Sequence, residues 1–446
     1  MKINKISVRG LFGVFNHIIP LNLESGITII LGENGLGKTV ILESVRAFFS
    51  KNFIFFANVE FEKFTFFFDN GDAWELERIV DAEKNMTLTV TKWNTIKDER
   101  SKPFKIFENE FDGRKIRMEE MARRRFLHER EIFQLQSNAD ILSHRDYELW
   151  QRQMYDIEMS RYGAPRHQQH KKPPQWLDEG FEKVSIKIIE TQRIITVKER
   201  GGDAYINTVK KFSEDLVQRI STVEKESNGI STELDASYPN RLMQKLRQGE
   251  TDSLDELNSA LSQLDERRRL LSSVGLIEDL PNSDLLKMDG EDLILMNPLK
   301  LYIDDSHKKL APYDDISKKI ELYRGIINLR FKHKNIEINR KNGFLFRSRV
   351  KKDAKGNYER IPSSSLSSGE QNELIMFYEL IFNTKVGDMI FIDEPELSLH
   401  ITWQNKFIND LKEVTSMNSV AVVIATHSPD IIDKNWDLRV ELEGLE

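Results

Sequence analysis

The sequence contains no cysteine among its 446 residues. Disulfides, thiolate zinc sites and cysteine nucleophiles are therefore excluded, and the composition fits a reducing cytoplasm. Long apolar runs are also missing, since none approaches the roughly 18 residues that suggest a membrane-spanning helix. The first ten residues, MKINKISVRG, lack the apolar centre of a signal peptide. We therefore expect a cytoplasmic protein with no membrane partner.

An excess of positive charge is missing as well, because the formal net charge is −7 and the pI is about 5.9. This balance argues against a protein covered in positive charge for bulk nucleic-acid binding. Two interpretations stay open for the local basic runs: contact with DNA or an acidic protein, or a solvated face. These runs are Arg123-Arg124-Arg125, Lys171-Lys172 and Arg267-Arg268-Arg269.

A glycine-rich segment near the N-terminus predicts phosphate binding. Residues 27–31, ITIIL, have the β-branched composition of a buried strand, and GENGLGKT then matches the pattern G-x-x-x-x-G-K-[ST] before a helical segment. Backbone N–H groups in such a loop surround phosphate oxygens, and the helix N-terminus adds partial positive charge. We expect Lys38 to reach the β- and γ-phosphates and Thr39 to ligate Mg²⁺. The residues predicted to contact ATP are Gly32, Asn34, Gly35, Gly37, Lys38 and Thr39.

A second group of motifs follows more than 300 residues later. The segment LSSGEQ precedes an apolar helix, so its small hydroxyl residues and glycine predict another anion-binding helix terminus. A buried strand then ends at Asp393 and Glu394, and another ends before His427. Asp393 is suited to hold Mg²⁺ through water, Glu394 to deprotonate the attacking water, and His427 to contact the γ-phosphate or that water.

These motifs, in this order, resemble ATP-binding-cassette ATPases of the SMC, RecF and OLD kind. The resemblance implies an α/β fold: an ABC-type ATPase head of mixed β-sheet with flanking helices, using ATP and Mg²⁺. In that superfamily the signature residues complete the site of a neighbouring chain, which implies a homo-oligomer. Here they are Ser367, Ser368, Gly369 and Glu370.

Two further residues have open interpretations. Gln192, in the strand-like segment VSIKIIETQRIITV, is either the Q-loop ligand of Mg²⁺ or a polar residue at the edge of the core. Phe12 is a candidate neighbour of the adenine, but we favour core packing for it.

The central part of the chain exceeds what a cassette needs and predicts insertions. Apolar residues on a three-four repeat from Ile206 to Leu234 and from Leu254 to Leu271 suggest a coiled-coil-like helical hairpin, broken at SYPN and restarted by a capping box of Ser253 and Glu256. A projecting arm and two helices packed on the domain remain alternatives. The predicted segments are an N-terminal ATPase lobe 1–114, a helical insertion 115–182, a core strand 183–200, the hairpin 201–328 and a C-terminal ATPase lobe 329–446.

The C-terminal motifs also resemble the ATPases of anti-phage defence systems. That likeness implies an oligomeric sensor or scaffold that holds a separate nuclease effector chain of the TOPRIM type until a phage protein triggers its release. Only Ser428–Glu446 follows His427, so we expect any nuclease activity to lie on another chain. The alternative function is a RecF-like repair ATPase that clamps DNA.

Overall fold

The computed structural model describes two compact units of the chain. Unit 1 comprises Met1–Leu23, Gly32–Ile186 and Val440–Glu446, and unit 2 comprises Glu24–Leu31 and Lys187–Arg439. None of the helices in the described part of the chain combines the length and apolar character that a membrane crossing requires. The described residues are 1–82, 85–109, 172–189, 195–197, 205–248, 253–278 and 293–444.

Unit 1 contains a seven-stranded antiparallel sheet, with strands numbered in chain order. Its strand order is β2-β1-β4-β5-β6-β7, and β8 pairs with β6. Alternating burial along these strands shows that one face packs on a core and the other meets solvent. The strands are β1 Ile3–Leu11, β2 Phe15–Pro20, β4 Lys63–Phe68, β5 Asp72–Val80, β6 Met86–Asn94, β7 Glu99–Arg100 and β8 Phe104–Asn109.

Helices α1 (Lys38–Phe49) and α2 (Gln175–Lys183) belong to the same unit. An aromatic cluster forms its core, in which the ring of Phe48 stacks on Phe66 at 5.0 Å between centroids and contacts Trp74 at 6.3 Å. Aromatic rings bury large apolar areas, so this cluster is a main source of stability for the unit.

Unit 2 is built around a five-stranded sheet of order β17-β3-β16-β15-β9. The three central strands, β3, β16 and β15, run parallel, and they are almost entirely buried. Continuous apolar runs are what a parallel sheet covered on both faces requires. The strands are β3 Ile27–Leu31, β9 Ile186–Ile189, β15 Met389–Asp393, β16 Ala421–Thr426 and β17 Arg439–Glu441.

The remaining strands of unit 2 form two smaller antiparallel sheets, β10-β11 and β12-β13-β14. They are β10 Ile195–Val197, β11 Tyr205–Asn207, β12 Lys334–Asn339, β13 Gly343–Lys352 and β14 Tyr358–Ile361. The helices of the unit are α3 Thr208–Gln248, α4 Leu254–Ser273, α5 Leu293–Leu310, α6 Tyr313–Arg330, α7 Ser368–Phe382, α8 Ile401–Asn418 and α9 Pro429–Ile432.

The predicted break at SYPN is wrong, because α3, which is 41 residues long, continues through Pro239. Proline removes one helical hydrogen bond and crowds the preceding turn. Arg241 compensates there: its guanidinium donates to the carbonyl of Leu234 at 2.8 Å and to the carboxylate of Asp305 in α5 at 2.6 Å. The helix is therefore secured on both sides of the proline.

The predicted hairpin differs in its packing too, because α5 packs against both α3 and α4. Leu257 and Leu261 of α4 form a small apolar cluster with Met296 and Ile303 of α5. The predicted capping box of Ser253 and Glu256 is confirmed, with both reciprocal hydrogen bonds present. The described region is thus a helical layer of three members.

The basic run Arg267-Arg268-Arg269 lies in this helical layer, where each arginine has a partner within the chain. Arg267 donates to Asp314 at 2.6 Å, Arg268 to Tyr302 at 3.0 Å, and Arg269 pairs with Asp265 at 2.7 Å. These contacts favour a structural role for the run. Arg123-Arg124-Arg125 and Lys171 lie outside the described residues.

The predicted α/β class is confirmed, with mixed sheets, flanking helices and a long helical insertion. The predicted segment boundaries stay predictions, and most of the segment 115–182 lies outside the described residues.

Candidate functional site

The glycine loop begins directly after β3 and ends at α1, as the sequence predicts. Gly35 and Gly37 have φ values of +94° and +85°, a region that glycine enters without the steric cost of a Cβ. An added Cβ on Gly37 would lie 2.5 Å from Cδ2 of Leu11. The loop therefore needs glycine here for both its backbone shape and its packing, and the residues present fit a phosphate group.

Lys38 is the first residue of α1 and is 5% exposed. Its ammonium group donates to the carbonyls of Gly32 at 2.6 Å and Glu33 at 2.8 Å. These bonds hold the cation beneath the loop. Thr39 follows in the first turn of the helix, while Asn34 is exposed at the tip of the loop.

His17 of β2, which no sequence motif indicates, supports the loop. Its Nε2 lies 3.0 Å from the carbonyl oxygen of Leu36, and the ring stacks on Phe15. Burial lowers the pKa of His17 below its usual value, because a charged imidazole is costly away from water. The neutral ring then donates its Nε2 hydrogen to the loop.

The expected core packing of Phe12 is wrong, because its side chain is 41% exposed. Phe12 has a φ of +54°, and its ring edge faces Gly37, where an added Cβ would lie 3.2 Å from it. The ring of Phe12 is exposed beside the glycine loop. The alternative interpretation, that it contacts the adenine of ATP, stays a prediction.

The parallel strands of unit 2 bring the C-terminal motifs to one edge. Leu31 of β3 is the register partner of Thr426 in β16, and Asp393 of β15 is the partner of Ala425. The carboxyl ends of the three strands are therefore level. The glycine loop leaves β3 here, and ligands of open α/β sheets bind at such carboxyl ends.

Glu394 directly follows β15 in a left-handed conformation, with φ of +45° and ψ of +59°. This backbone is uncommon for residues other than glycine, and such strain concentrates at functional sites. The N–H of Glu394 donates to the carbonyl of Ala425 at 2.8 Å, which holds the turn in place. The role of Glu394 as a general base stays a prediction.

A second glutamate, Glu396, lies two residues after Glu394, and no sequence motif indicates its role. Its Oε1 accepts hydrogen bonds from the hydroxyl of Thr426 at 2.8 Å and from the N–H of His427 at 3.1 Å. The same oxygen lies 3.1 Å from Nδ1 of His427. The Glu396 side chain is 6% exposed and the His427 side chain 42% exposed. A buried carboxylate therefore orients an accessible imidazole.

The predicted signature helix is α7, and its N-terminus is capped from within. The hydroxyl of Ser367 accepts from the N–H of Glu370, and the carboxylate of Glu370 accepts from the N–H of Ser367 at 2.7 Å. Lys334 of β12 also donates to this carboxylate at 2.7 Å. Ser368 is exposed, and an added Cβ on Gly369 would meet no atom within 4 Å.

A buried charge triad ties α7 to its neighbours. Arg330, at the end of α6, donates to Glu373 of α7 at 2.8 Å and to Asp410 of α8. Its guanidinium also lies 4.5 Å from the ring of Phe377. Burial raises the pKa of Glu373 to about 8 and also raises the pKa of Asp410, because a charged carboxylate is costly away from water, and Arg330 offsets only part of this cost. The triad is therefore able to retain one proton near neutral pH.

The third predicted metal ligand, Gln192, lies outside the described residues. Among the residues that the structure describes, no group of three or more His, Asp or Glu side chains could hold a metal ion. A magnesium site that relies on a threonine hydroxyl, one carboxylate and phosphate oxygens has a different donor set, so Thr39 and Asp393 stay predicted ligands.

The strand, glycine loop and helix match the P-loop pattern of nucleotide-binding proteins. The chain matches the AAA ATPase domain family over residues 1–432 and therefore belongs to that family. The chain is accordingly an ATP-hydrolysing enzyme. No protein of curated function matches it.

Solved structures similar to this chain include three SMC head domains. One, from Pyrococcus furiosus, has an extended coiled coil and is bound to the C-terminal domain of ScpA, with 12% identity, a TM-score of 0.31, and coverage of 97% of this chain and 91% of that one. The head domain from Thermotoga maritima has 11% identity, a TM-score of 0.30 and coverage of 97% and 92%. A head with a coiled coil and joint from Pyrococcus yayanosii has 11% identity, a TM-score of 0.29 and coverage of 97% and 93%.

Proposed function

We propose that copies of this chain share each ATP molecule, with the glycine loop of one copy and the start of α7 of another on either side of it. The observation that carries this proposal is that Ser368 and Gly369, inside the capped N-terminus of α7, are not covered by other residues of the chain. Ser368 is exposed and Gly369 is unobstructed, while Ser367 and Glu370 cap the helix. A helix N-terminus with accessible N–H groups favours an anionic ligand.

The residues of one copy have separate roles in this proposal. Lys38 and the loop N–H groups bind the phosphates, and Thr39 and Asp393 hold the Mg²⁺, whose charge offsets that of the phosphates when it is bound. Glu394 takes a proton from the attacking water. His427, oriented by Glu396, contacts the γ-phosphate or that water.

ATP would then control assembly. A ligand shifts an equilibrium only as far as its affinities for the two states differ. A γ-phosphate that contacts two copies favours the assembled state, and its hydrolysis removes that preference. The homo-oligomer is thus stabilised before hydrolysis and weakened afterwards.

We further propose a biological role for this ATP-dependent assembly, in anti-phage defence inside the cytoplasm. The motifs resemble those of AriA, the ATPase of the PARIS system. By that likeness the assembly holds a separate TOPRIM-type nuclease, similar to AriB, and a phage protein triggers its release. The long helix α3 supports this proposal: beyond Ile220 no residue of its described part is buried, so it offers a surface for a partner.

Mixing two inactive variants tests the shared site. Lys38→Ala disables the loop and Ser368→Arg places a bulky cation at the start of α7. Each variant alone should hydrolyse little ATP, whereas an equal mixture should recover part of the activity, because some sites combine the intact loop of one copy with the intact α7 of another. No recovery in a mixture shown to associate would contradict sharing.

The second candidate is a DNA-clamping ATPase of the RecF kind. One observation favours it, the exposed basic segment Arg349–Arg360. Stimulation of ATP hydrolysis by DNA, with steep salt dependence, would favour this candidate. Co-purification with a nuclease chain and no stimulation would favour the defence role.

A further inference from the structure

The hairpin formed by β13 and β14 ends in a segment of unusual charge. All residues from Arg349 to Arg360 are exposed. The chain as a whole is acidic, so a basic segment here is a local feature rather than a property of the surface. Its basic residues are Arg349, Lys351, Lys352, Lys355 and Arg360, and its acidic residues are Asp353 and Glu359.

The tip of this hairpin has a defined conformation. The carboxylate of Asp353 accepts from the N–H groups of Lys355 and Asn357, each at 2.9 Å. The backbone of Asp353 also donates to Asn357 at 2.7 Å and accepts from Gly356 at 3.0 Å. One of the two acidic side chains is thus engaged in the turn, and the lysines extend from a fixed backbone.

The positive charges on the hairpin are poorly compensated. Within the described part of the chain, Lys351, Lys352, Lys355 and Arg360 form no ion pair. Arg347 and Arg360 are direct cross-strand partners, an arrangement of like charges that destabilises a sheet. Glu337 forms an ion pair with Arg347 alone, at 2.8 Å. Binding of a polyanion would neutralise the remaining positive charges.

An aromatic side chain lies among these cations. Tyr358 is 46% exposed, and the ammonium of Lys352 lies 5.2 Å from its ring centroid. Basic residues beside an exposed aromatic ring suit nucleic acid, whose phosphates attract the cations and whose bases stack on rings. The carboxylates of an acidic peptide would pair with the cations but would not stack on the ring.

We propose that the hairpin segment Arg349–Arg360 binds the phosphodiester backbone of nucleic acid. This contact goes beyond the shared ATP site and does not depend on it. The lysines neutralise phosphates and release counterions, so affinity should fall steeply with salt. Tyr358 adds a stacking surface for an unpaired base.

The test is fluorescence polarisation of labelled single-stranded DNA, duplex DNA and RNA over a salt series. The variant carries Lys351→Gln, Lys352→Gln and Lys355→Gln. The control carries Lys210→Gln, Lys211→Gln and Lys225→Gln, which removes the same charge from exposed positions of α3. We expect the hairpin variant to bind roughly tenfold more weakly or worse, and its salt slope to fall by about 2 to 3, while the control binds like the unmodified chain.

Several outcomes would overturn the proposal: no binding by the unmodified chain, equal binding by the hairpin variant, or equal losses in both variants. Stronger competition by polyglutamate than by unlabelled oligonucleotide would instead assign the hairpin to an acidic protein. The three nucleic acids distinguish a duplex from a single strand. Repeating the binding in a Lys38→Ala background separates this proposal from the ATP site, because the hairpin contact should survive there.

Discussion

The carboxylate of Glu396 and the imidazole of His427 form a contact at the carboxyl edge of the central sheet, with 3.1 Å between Oε1 and Nδ1. A carboxylate at Nδ1 holds the hydrogen on that nitrogen, so Nε2 is the nitrogen that can accept a proton. The backbone N–H of His427 donates to the same oxygen, so the carboxylate fixes both the ring and the residue that carries it.

We predict that Glu396→Gln lowers kcat by roughly tenfold or more, because an amide fixes the tautomer of His427 less well. ATP binding should change little, since Glu396 does not belong to the glycine loop. Steady-state hydrolysis and equilibrium binding of a fluorescent ATP analogue measure the two effects. Glu413→Gln, at an exposed position of α8, serves as the control. Normal kcat in Glu396→Gln would remove the proposed positioning role.

A second prediction concerns the general base. Glu394→Gln should retain ATP binding and slow hydrolysis by about 10²-fold or more, because the amide cannot take a proton from water. Since the bound γ-phosphate then persists, the variant should also accumulate as the assembled oligomer in ATP. Single-turnover hydrolysis and size-exclusion chromatography measure these effects. Hydrolysis at the normal rate would show that another group acts as the base.

A third prediction compares the same substitution at two helical glycines. An added Cβ on Gly180 of α2 would lie 2.0 Å from the indole of Trp74, whereas one on Gly229 of α3 meets no atom within 4 Å. Gly180→Ala should therefore destabilise the protein by about 1–3 kcal/mol through overpacking. Gly229→Ala should stabilise its helix by roughly 0.5–1 kcal/mol, because alanine is the better helix former.

Thermal and denaturant unfolding would measure both glycine variants, with local hydrogen exchange to assign each change to its helix. Opposite signs are the expected result. A destabilising Gly229→Ala, or a neutral Gly180→Ala, would show that the packing around these helices differs from that described.

A fourth prediction follows from the buried triad. The raised pKa of Glu373, about 8 against an ordinary 4.5, means that the folded state binds a proton that the unfolded state has lost. This contribution to stability is complete below about pH 4.5 and is lost as pH rises through about 8. Glu373→Gln, which stays neutral, should flatten the fall of unfolding free energy over that window.

The matching variant is Arg330→Met, which leaves the buried Glu373 and the half-buried Asp410 without their cation. It should be strongly destabilising, by about 3–5 kcal/mol. Denaturant unfolding at several pH values measures both variants. If Glu373→Gln kept the pH dependence of the unmodified chain, the retained proton would have to lie elsewhere.

The central strands and the helices after Gly37 and Ser367 could be predicted because their signals are local. The runs ITIIL and MIFI are apolar on both faces, and the glycine loop and signature segment have fixed spacings. Such patterns depend on neighbours in sequence, and the packing within each unit agrees with them.

The role of Glu396 could not be predicted, because it depends on a contact 30 residues away in β16. Its burial follows from the tight turn at Pro395–Leu397, which directs the carboxylate back to Thr426. The continuation of α3 through Pro239 was equally hidden, because Asp305, the partner that anchors Arg241, is 64 residues distant. Both features depend on partners that are distant in the sequence.

Helix α3 has a mechanical consequence. Its first third is fixed in the core, where Arg219 donates to the carbonyl of Phe382 at the end of α7 and Asp215 accepts from Tyr378. At about 1.5 Å per residue, its 41 residues make a rod roughly 60 Å long. Because α5 packs against the distal part of this rod and Asp305 anchors Arg241 there, one continuous element joins the helix that begins at Ser368 to the layer of three helices.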